Sequence, residues 1–154
     1  MKSRERYILM LEDDGDDRHI TETFFAEQNY NIRLEFLTNP GEMISYLDRC
    51  YQEGILLPSL IILDKYVPAG SGIEVLKAIK AHPVFHQIPT VMISGSDHEE
   101  DIEESYRLGA NSYIIKPFRS EFTIKKISTF VTYWFEVAEL PMIAVNKEEA
   151  NYSR

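Results

Sequence analysis

The sequence predicts a doubly wound α/β domain on a five-stranded parallel sheet, and three observations carry that prediction. Short apolar runs alternate five times with longer segments of helical periodicity, the pattern of repeated βα units. Two of those runs, Leu60-Ile61-Ile62-Leu63 and Val91-Met92-Ile93, are apolar without alternation, as strands covered on both faces must be. Four of the runs end in polar residues of distinct chemistry. Tyr7-Ile8-Leu9-Met10-Leu11 leads into Glu12-Asp13-Asp14, the second run into Asp64, the third into Ser94, and Tyr113-Ile114-Ile115 into Lys116-Pro117. In open α/β sheets ligands bind outside the carboxyl ends of the strands, so this order predicts one shared polar pocket.

The first strand is read at about residues 7–11 and the helix after it at about 16–28, with Gly15 in the loop and Asp16 placed to cap. Asp16 and Asp17 are read as acids of a solvated helix start. A strand at about 33–38 precedes a helix at about 41–52, which Asn39-Pro40-Gly41 opens. Pro58 stands ahead of the strand at about 59–63, where a missing N–H costs little, and a helix follows at about 72–81. Pro89 heads the strand at about 89–93, and the next helix is read at about 98–108. Ser96-Asp97 is its start signal, Glu99, Glu100 and Asp101 load its positive end, and Gly109-Ala110-Asn111 stops it. A strand at about 112–115 and a helix at about 120–138 complete the set. Periodicity is lost after Pro141, so residues 1–140 are read as one domain and 141–154 as a short flexible tail.

A chain of 154 residues, 44% hydrophobic and 27% charged, buries a core of its own and leaves no room for a second folded domain. Its 25 acidic and 16 basic residues give a formal charge of −9, which argues against nucleic-acid binding because phosphate contacts need clustered Lys and Arg. No apolar stretch reaches the length of a bilayer span, and Met1-Lys2-Ser3-Arg4-Glu5-Arg6 leads straight into a strand. No membrane contact and a cytoplasmic location are therefore expected. The single cysteine, Cys50, excludes an internal disulfide and a cysteine metal cage, and reads as a packing residue.

Carboxylates gathered at one sheet edge raise one another's pKa unless a cation offsets them. A divalent ion fits: oxygen ligands suit Mg²⁺, which usually completes its shell with water and substrate phosphate. Asp64 can then act as a carboxylate nucleophile that forms an aspartyl phosphate. Lys116 and Ser94 can supply the cation and hydrogen-bond donor for the remaining phosphoryl oxygens.

Together these segments resemble a two-component response-regulator receiver domain, the phosphoacceptor module of the chemotaxis-protein type. The resemblance rests on Ile8-Leu9-Met10-Leu11-Glu12-Asp13-Asp14, Leu63-Asp64-Lys65-Tyr66-Val67-Pro68, Gly72-Ile73-Glu74-Val75-Leu76, Met92-Ile93-Ser94-Gly95 and Gly109-Ala110-Asn111-Ser112-Tyr113-Ile114-Ile115-Lys116-Pro117-Phe118. It implies a flavodoxin-like (βα)5 fold in strand order 2-1-3-4-5. It further implies that Asp64 is the phosphorylated aspartate, Asp13 a direct metal ligand, Glu12 an acid that reaches the metal mainly through water, and Tyr66 the donor of a backbone carbonyl to it. Ser94 matches the switch hydroxyl, Tyr113 the switch aromatic, and Lys116 the phosphate-pairing lysine, followed by a prolyl bond that is cis in the family. Glu12 for the commoner Asp and Val67 for Met or Leu are mild departures. The bulky ring of Tyr66 is expected to shield the acyl phosphate from water and slow its loss.

The resemblance implies a sensor histidine kinase or hybrid kinase as donor and a binding event as output, through the face made by the fourth helix, fifth strand and fifth helix. The target is a downstream partner protein, another kinase-relay protein or a second copy of the chain. The last helix carries more apolar residues than one buried stripe needs, including Phe122, and Trp134 and Phe135 are its interface candidates. A Tyr-Trp pair with a nearby Leu-Pro looks like the last helix of stand-alone receivers paired with phytochrome-type or other hybrid kinases. The chain is thus read as a phosphoacceptor that catalyses only its own phosphorylation and dephosphorylation, with a phosphorylation-independent scaffold as the rival. A phosphatase of the haloacid dehalogenase type would place its nucleophile after the first strand with a second Asp two residues on, which Glu12-Asp13-Asp14-Gly15 fits poorly. A flavin carrier would need a neutral first loop, and no Gly-rich nucleotide loop is present.

Overall fold

The structure, a computed structural model, describes residues 6–28, 32–116, 120–141 and 143, with the backbone alone for residues 120–124. The Lys116-Pro117 bond, Phe118, the side chain of Phe122 and most of the expected tail lie outside the described residues. Five strands, β1 (Arg6–Leu11), β2 (Ile32–Leu37), β3 (Leu60–Asp64), β4 (Thr90–Ser94) and β5 (Ser112–Ile115), form one parallel sheet in the order β2-β1-β3-β4-β5. Five helices connect or follow them: α1 (Gly15–Gln28), α2 (Pro40–Glu53), α3 (Gly72–Ala81), α4 (Glu99–Arg107) and α5 (Ser120–Thr132). The doubly wound flavodoxin-like fold expected from the sequence is the fold observed.

Successive strand residues point to opposite faces, and apolar side chains on both faces make two cores. Leu9, Leu11, Ile61, Leu63 and Met92 meet Met43 and Leu47 of α2 and Val75, Leu76 and Ile79 of α3. Ile8, Met10, Ile62 and Val91 meet Phe24 and Phe25 of α1 and Val131 of α5 on the other side. Each fully buried Leu or Ile contributes about 1.5–3 kcal/mol, so β3, buried at every residue, is pinned from both sides. Among the described residues no helix is long and apolar enough to cross a membrane.

The central strands sit one residue later than the sequence suggests, and this matters for the site. Proline has no N–H for the ladder, so Pro89 stays outside β4 and only its carbonyl is used, by Ile61 N at 3.0 Å. At the far end Asp64 and Ser94 remain within their strands, paired with Ile93 and Ile115.

Helix ends show where local chemistry was read correctly and where it was not. Asn39 Oδ1 accepts from the N–H groups of Gly41 (2.8 Å) and Glu42 (3.3 Å), as its position before Pro40 predicts. Asp14 rather than Asp16 caps α1: its Oδ1 accepts from Asp16 N at 2.9 Å and Asp17 N at 3.0 Å, because the helix begins at Gly15. At α4 the cap position is His98, whose side chain makes no capping bond. Gly109, at φ 102°, takes the left-handed conformation that stops this helix. The last helix does not run as α-helix to residue 138. It gives way after Thr132 to a π-helical turn, Tyr133–Val137, closed by Ala138 N donating to Tyr133 O at 2.7 Å. In an α-helix adjacent side chains diverge by about 100°. The wider π turn reduces that angle, so neighbouring Trp134 and Phe135 both pack against the core.

Candidate metal centre at the carboxyl edge of the sheet

Strand register assembles the site. Leu11 lies opposite Leu63, so Glu12, the next residue, stands beside Asp64 at the end of β3. The main chain of Glu12 is fixed by its N–H donating to Leu37 O at 3.0 Å, and that of Lys116 by its N–H donating to Ser94 O at 2.7 Å. The Lys116 ammonium then donates to Glu12 Oε2 and Asp64 Oδ2, both at 2.8 Å, and to Asp17 Oδ2 at 3.2 Å. One cation is thus shared by three carboxylates. Asp13 adjoins them: Glu12, Asp13 and Asp64 each offer an oxygen within 4.8 Å of the others.

This donor set is hard oxygen with more negative charge than Lys116 offsets, the composition that suits a small divalent cation. Glu12 and Asp64 are nearly buried, whereas Asp13 is exposed and gives solvent access. Burial pushes the Glu12 carboxyl above the usual range, and Lys116 only partly opposes it. Burial works against the Lys116 charge as well, but the hydrogen bonds to Asp64 and Glu12 outweigh it and hold the ammonium above its ordinary value. The cluster therefore keeps its cation while one of its acids gives up a proton reluctantly.

The other expected site residues fall around this centre. Tyr66 N donates to Asp64 Oδ1 at 3.1 Å, which keeps residue 66 beside the cluster. Its ring is largely exposed, with Tyr66 Oη donating to Asp101 Oδ1 at 3.3 Å. The buried Ser94 hydroxyl accepts from Ser96 N at 3.1 Å, within its own loop. Tyr113 packs against the α2–α3 core, and its hydroxyl donates to Ser96 O at 2.9 Å. Trp134 and Phe135 are half-buried; the exposed apolar residues of that turn are Tyr133 and Val137. The Arg6 guanidinium lies 5.3 Å from the centre of the Phe135 ring.

Sequence reasoning missed two features. Asp17, read as a solvated helix acid, turns its carboxylate to Lys116. Lys65, which received no role, is buried and pairs with Asp101 of α4 at 2.5 Å. The signal for Lys65 was its place: neighbouring strand residues face opposite ways, so a cation directly after Asp64 needs an acid on the other side.

Comparison with known proteins agrees with this geometry. The family model described as response regulator receiver domain matches residues 8–128. Response regulator Rcp1 of Synechocystis is 28% identical over 137 residues, covering 88% of this chain and 93% of that protein. The crystal structure of its Mn²⁺-bound form gives a TM-score of 0.81, covering 88% of this chain and 99% of that one. The phosphorylated cyanobacterial phytochrome response regulator RcpA gives a TM-score of 0.82 at 29% identity, covering 90% and 99%. Five parallel strands in this order, the acid cluster with its lysine at their carboxyl edge, and a family match over most of the length lead to one conclusion: the chain belongs to the response regulator receiver domain family.

Proposed function

We propose that this chain is a single-domain response regulator that accepts a phosphoryl group on Asp64 from a histidine or hybrid kinase, in the cytoplasm, and answers by changing a binding partner. Its supporting observation is the convergence of Glu12, Asp13, Asp64 and Lys116 at one sheet edge. The span of Rcp1 covered, and the phosphorylated state of RcpA, favour the same reading. A carboxylate oxygen of Asp64 attacks phosphorus, and the bond from phosphorus to the donor nitrogen breaks with its electron pair leaving on nitrogen. Lys116, already on Asp64, stays paired with the charge as it spreads onto the phosphoryl oxygens.

Asp13, Asp64, the Tyr66 carbonyl and, through water, Glu12 would hold Mg²⁺, which when bound offsets the carboxylates and the charge on the phosphoryl oxygens. Ser94 exchanges its Ser96 partner for a phosphoryl oxygen. That removes an acceptor from Ser96 N and frees the loop on which Tyr113 rests. Output leaves through α4, β5 and α5, to a downstream protein or a second copy, with Trp134 and Phe135 as contacts once that turn shifts. The chain is an acceptor and turns over no separate substrate. Intact-mass measurement after incubation with acetyl phosphate and Mg²⁺ tests this: one phosphoryl group is gained, chelation prevents it, and Asp64→Asn abolishes it. An unmodified chain would instead support the scaffold reading.

A further inference from the structure

Asp64 and Lys65 are consecutive, yet their side chains serve opposite sides of the sheet edge. The main chain of Lys65 is held at both ends. Its N–H donates to Ile93 O at 2.9 Å, and its carbonyl accepts from Gly72 N at 3.0 Å and Ser71 Oγ at 2.8 Å. Its side chain, 4% exposed, reaches α4 and donates to Asp101 Oδ1, with Glu104 at 3.7 Å. Any shift of the strand end that carries Asp64 is therefore a shift of this ammonium.

Asp101 carries the link onward. Its second oxygen accepts from the Ser96 hydroxyl, which also accepts from His98 N at 3.2 Å. Ser96 in turn donates its N–H to Ser94 Oγ and accepts from the Tyr113 hydroxyl. The Ser94 hydroxyl and the Lys65–Asp101 pair thus meet at Ser96. The ends of α4 are held differently. Beyond the carboxyl end, Asn111 N donates to Thr90 O and Asn111 Oδ1 accepts from Thr90 N, both at 2.8 Å, a neutral clamp to the sheet. The amino end, with no side-chain cap of its own, is held through Asp101 by Lys65, Ser96 and the Tyr66 hydroxyl.

We propose that Lys65 and Asp101 form a strut that ties the amino end of α4 to the phosphoacceptor strand and carries the loading state of Asp64 to that helix. Lys65 is a positioning residue that acts through Asp101 and touches no phosphoryl oxygen. The inference rests on the phosphoacceptor reading of Asp64. Breaking the pair leaves loading in place and detaches the response of α4 from it. The strut is a direct ion pair, Lys65 Nζ to Asp101 Oδ1 at 2.5 Å.

The test compares the unsubstituted chain with Lys65→Met, Lys65→Arg and Asp101→Asn. Intact mass reports loading by acetyl phosphate and Mg²⁺, and hydrogen exchange reports α4. Lys65→Met and Asp101→Asn should load as the unsubstituted chain does, while the change in α4 exchange on loading shrinks about fivefold or more, the low end of ordinary coupling between sites. Lys65→Arg keeps the ion pair and should restore the response; a purely structural filler would be disturbed by both exchanges at Lys65. Asp101→Asn is nearly isosteric on a partly exposed helix end, so it remains a folded test should Lys65→Met not fold. Normal loading with an undiminished α4 response in Asp101→Asn overturns the strut alone. An unsubstituted chain that gains no phosphoryl group overturns the acceptor reading and the strut with it.

Discussion

Lys65 and Lys116 lie on either side of Asp64 at one sheet edge, and their surroundings differ in a way that separates binding from holding. Lys116 is a quarter exposed and shared by Glu12, Asp17 and Asp64, with Asp13 close by. Lys65 is sealed, with one close partner, Asp101, and Glu104 at the margin. A cluster with surplus negative charge and solvent access can add or exchange a cation. A pair in near balance whose ammonium is sealed cannot, because removing Asp101 strands the Lys65 charge away from water. The same residue type therefore serves a variable site on one side and a fixed tie on the other.

The largest expected effect is at Asp64, the proposed acceptor. Asp64→Asn should eliminate phosphoryl gain by intact mass while leaving the Lys65–Asp101 pair in place, and loading at another residue would dissolve the contrast between the two lysines. Lys116→Met comes next. Without its cation the Glu12, Asp17 and Asp64 group should lose about 2–3 kcal/mol of stability, less than for a fully sealed pair because the group is partly solvated. Saturating Mg²⁺ should recover most of that loss. Urea unfolding with and without Mg²⁺ reads both numbers, and a deficit that Mg²⁺ leaves untouched would show that the cluster does not exchange cations.

Gly72→Ala strikes both lysine clusters at once. A Cβ there would stand 2.3 Å from the Asp64 carbonyl oxygen, a backbone atom held in the sheet. The overpacking should cost about 1–3 kcal/mol and lower the thermal midpoint. An unchanged midpoint would mean that the turn after Asp64 yields more easily than its hydrogen bonds suggest.

Acid separates the clusters further. Asp101, hydrogen-bonded by Lys65 and Ser96, titrates at about 2, below its ordinary 3.8. Its contribution to stability is present above pH 3.8 and fades as the pH falls through about 2. Acid unfolding of Asp101→Asn should be flatter across that window. Glu12 shifts the other way, above its ordinary 4.5, chiefly through burial, so folding favours its protonated form and that form gains as pH falls. Mg²⁺ needs the carboxylate, so its affinity should weaken on acidification at a higher pH than for an ordinary glutamate. Calorimetric titration across pH 4–7 would reveal the opposite case. The smallest effect is expected at Tyr66: Tyr66→Ala should shorten the aspartyl-phosphate lifetime a few-fold, and an unchanged lifetime would assign its ring wholly to the Asp101 side.

Much of this was legible because the signals are local. Alternation of apolar runs with helical segments fixes the class, and the unbroken apolar runs within β3 and β4, residues 60–63 and 91–93, signal cover on both faces. The residue types ending the strands name the chemistry. What escaped depends on partners distant in the chain or on small offsets. Lys65 and Asp101 are 36 residues apart, and Lys116 and Asp17 are 99 apart. No local pattern links either pair. The cap of α1 moved from Asp16 to Asp14 because the helix began one residue early, a shift that propensity does not resolve. The π turn after α5 arose where two adjacent aromatics both found core to cover.

By itself the sequence determined the βα alternation, the parallel sheet, and which residue types would stand at its carboxyl edge, because hydrophobic periodicity and turn chemistry act between near neighbours. Only the tertiary structure decided which carboxylate each lysine holds, how Ser96 joins Ser94 to Tyr113, and which aromatics of the last turn face inward. Those outcomes depend on strand register and on ångström-scale distances between elements far apart in the chain.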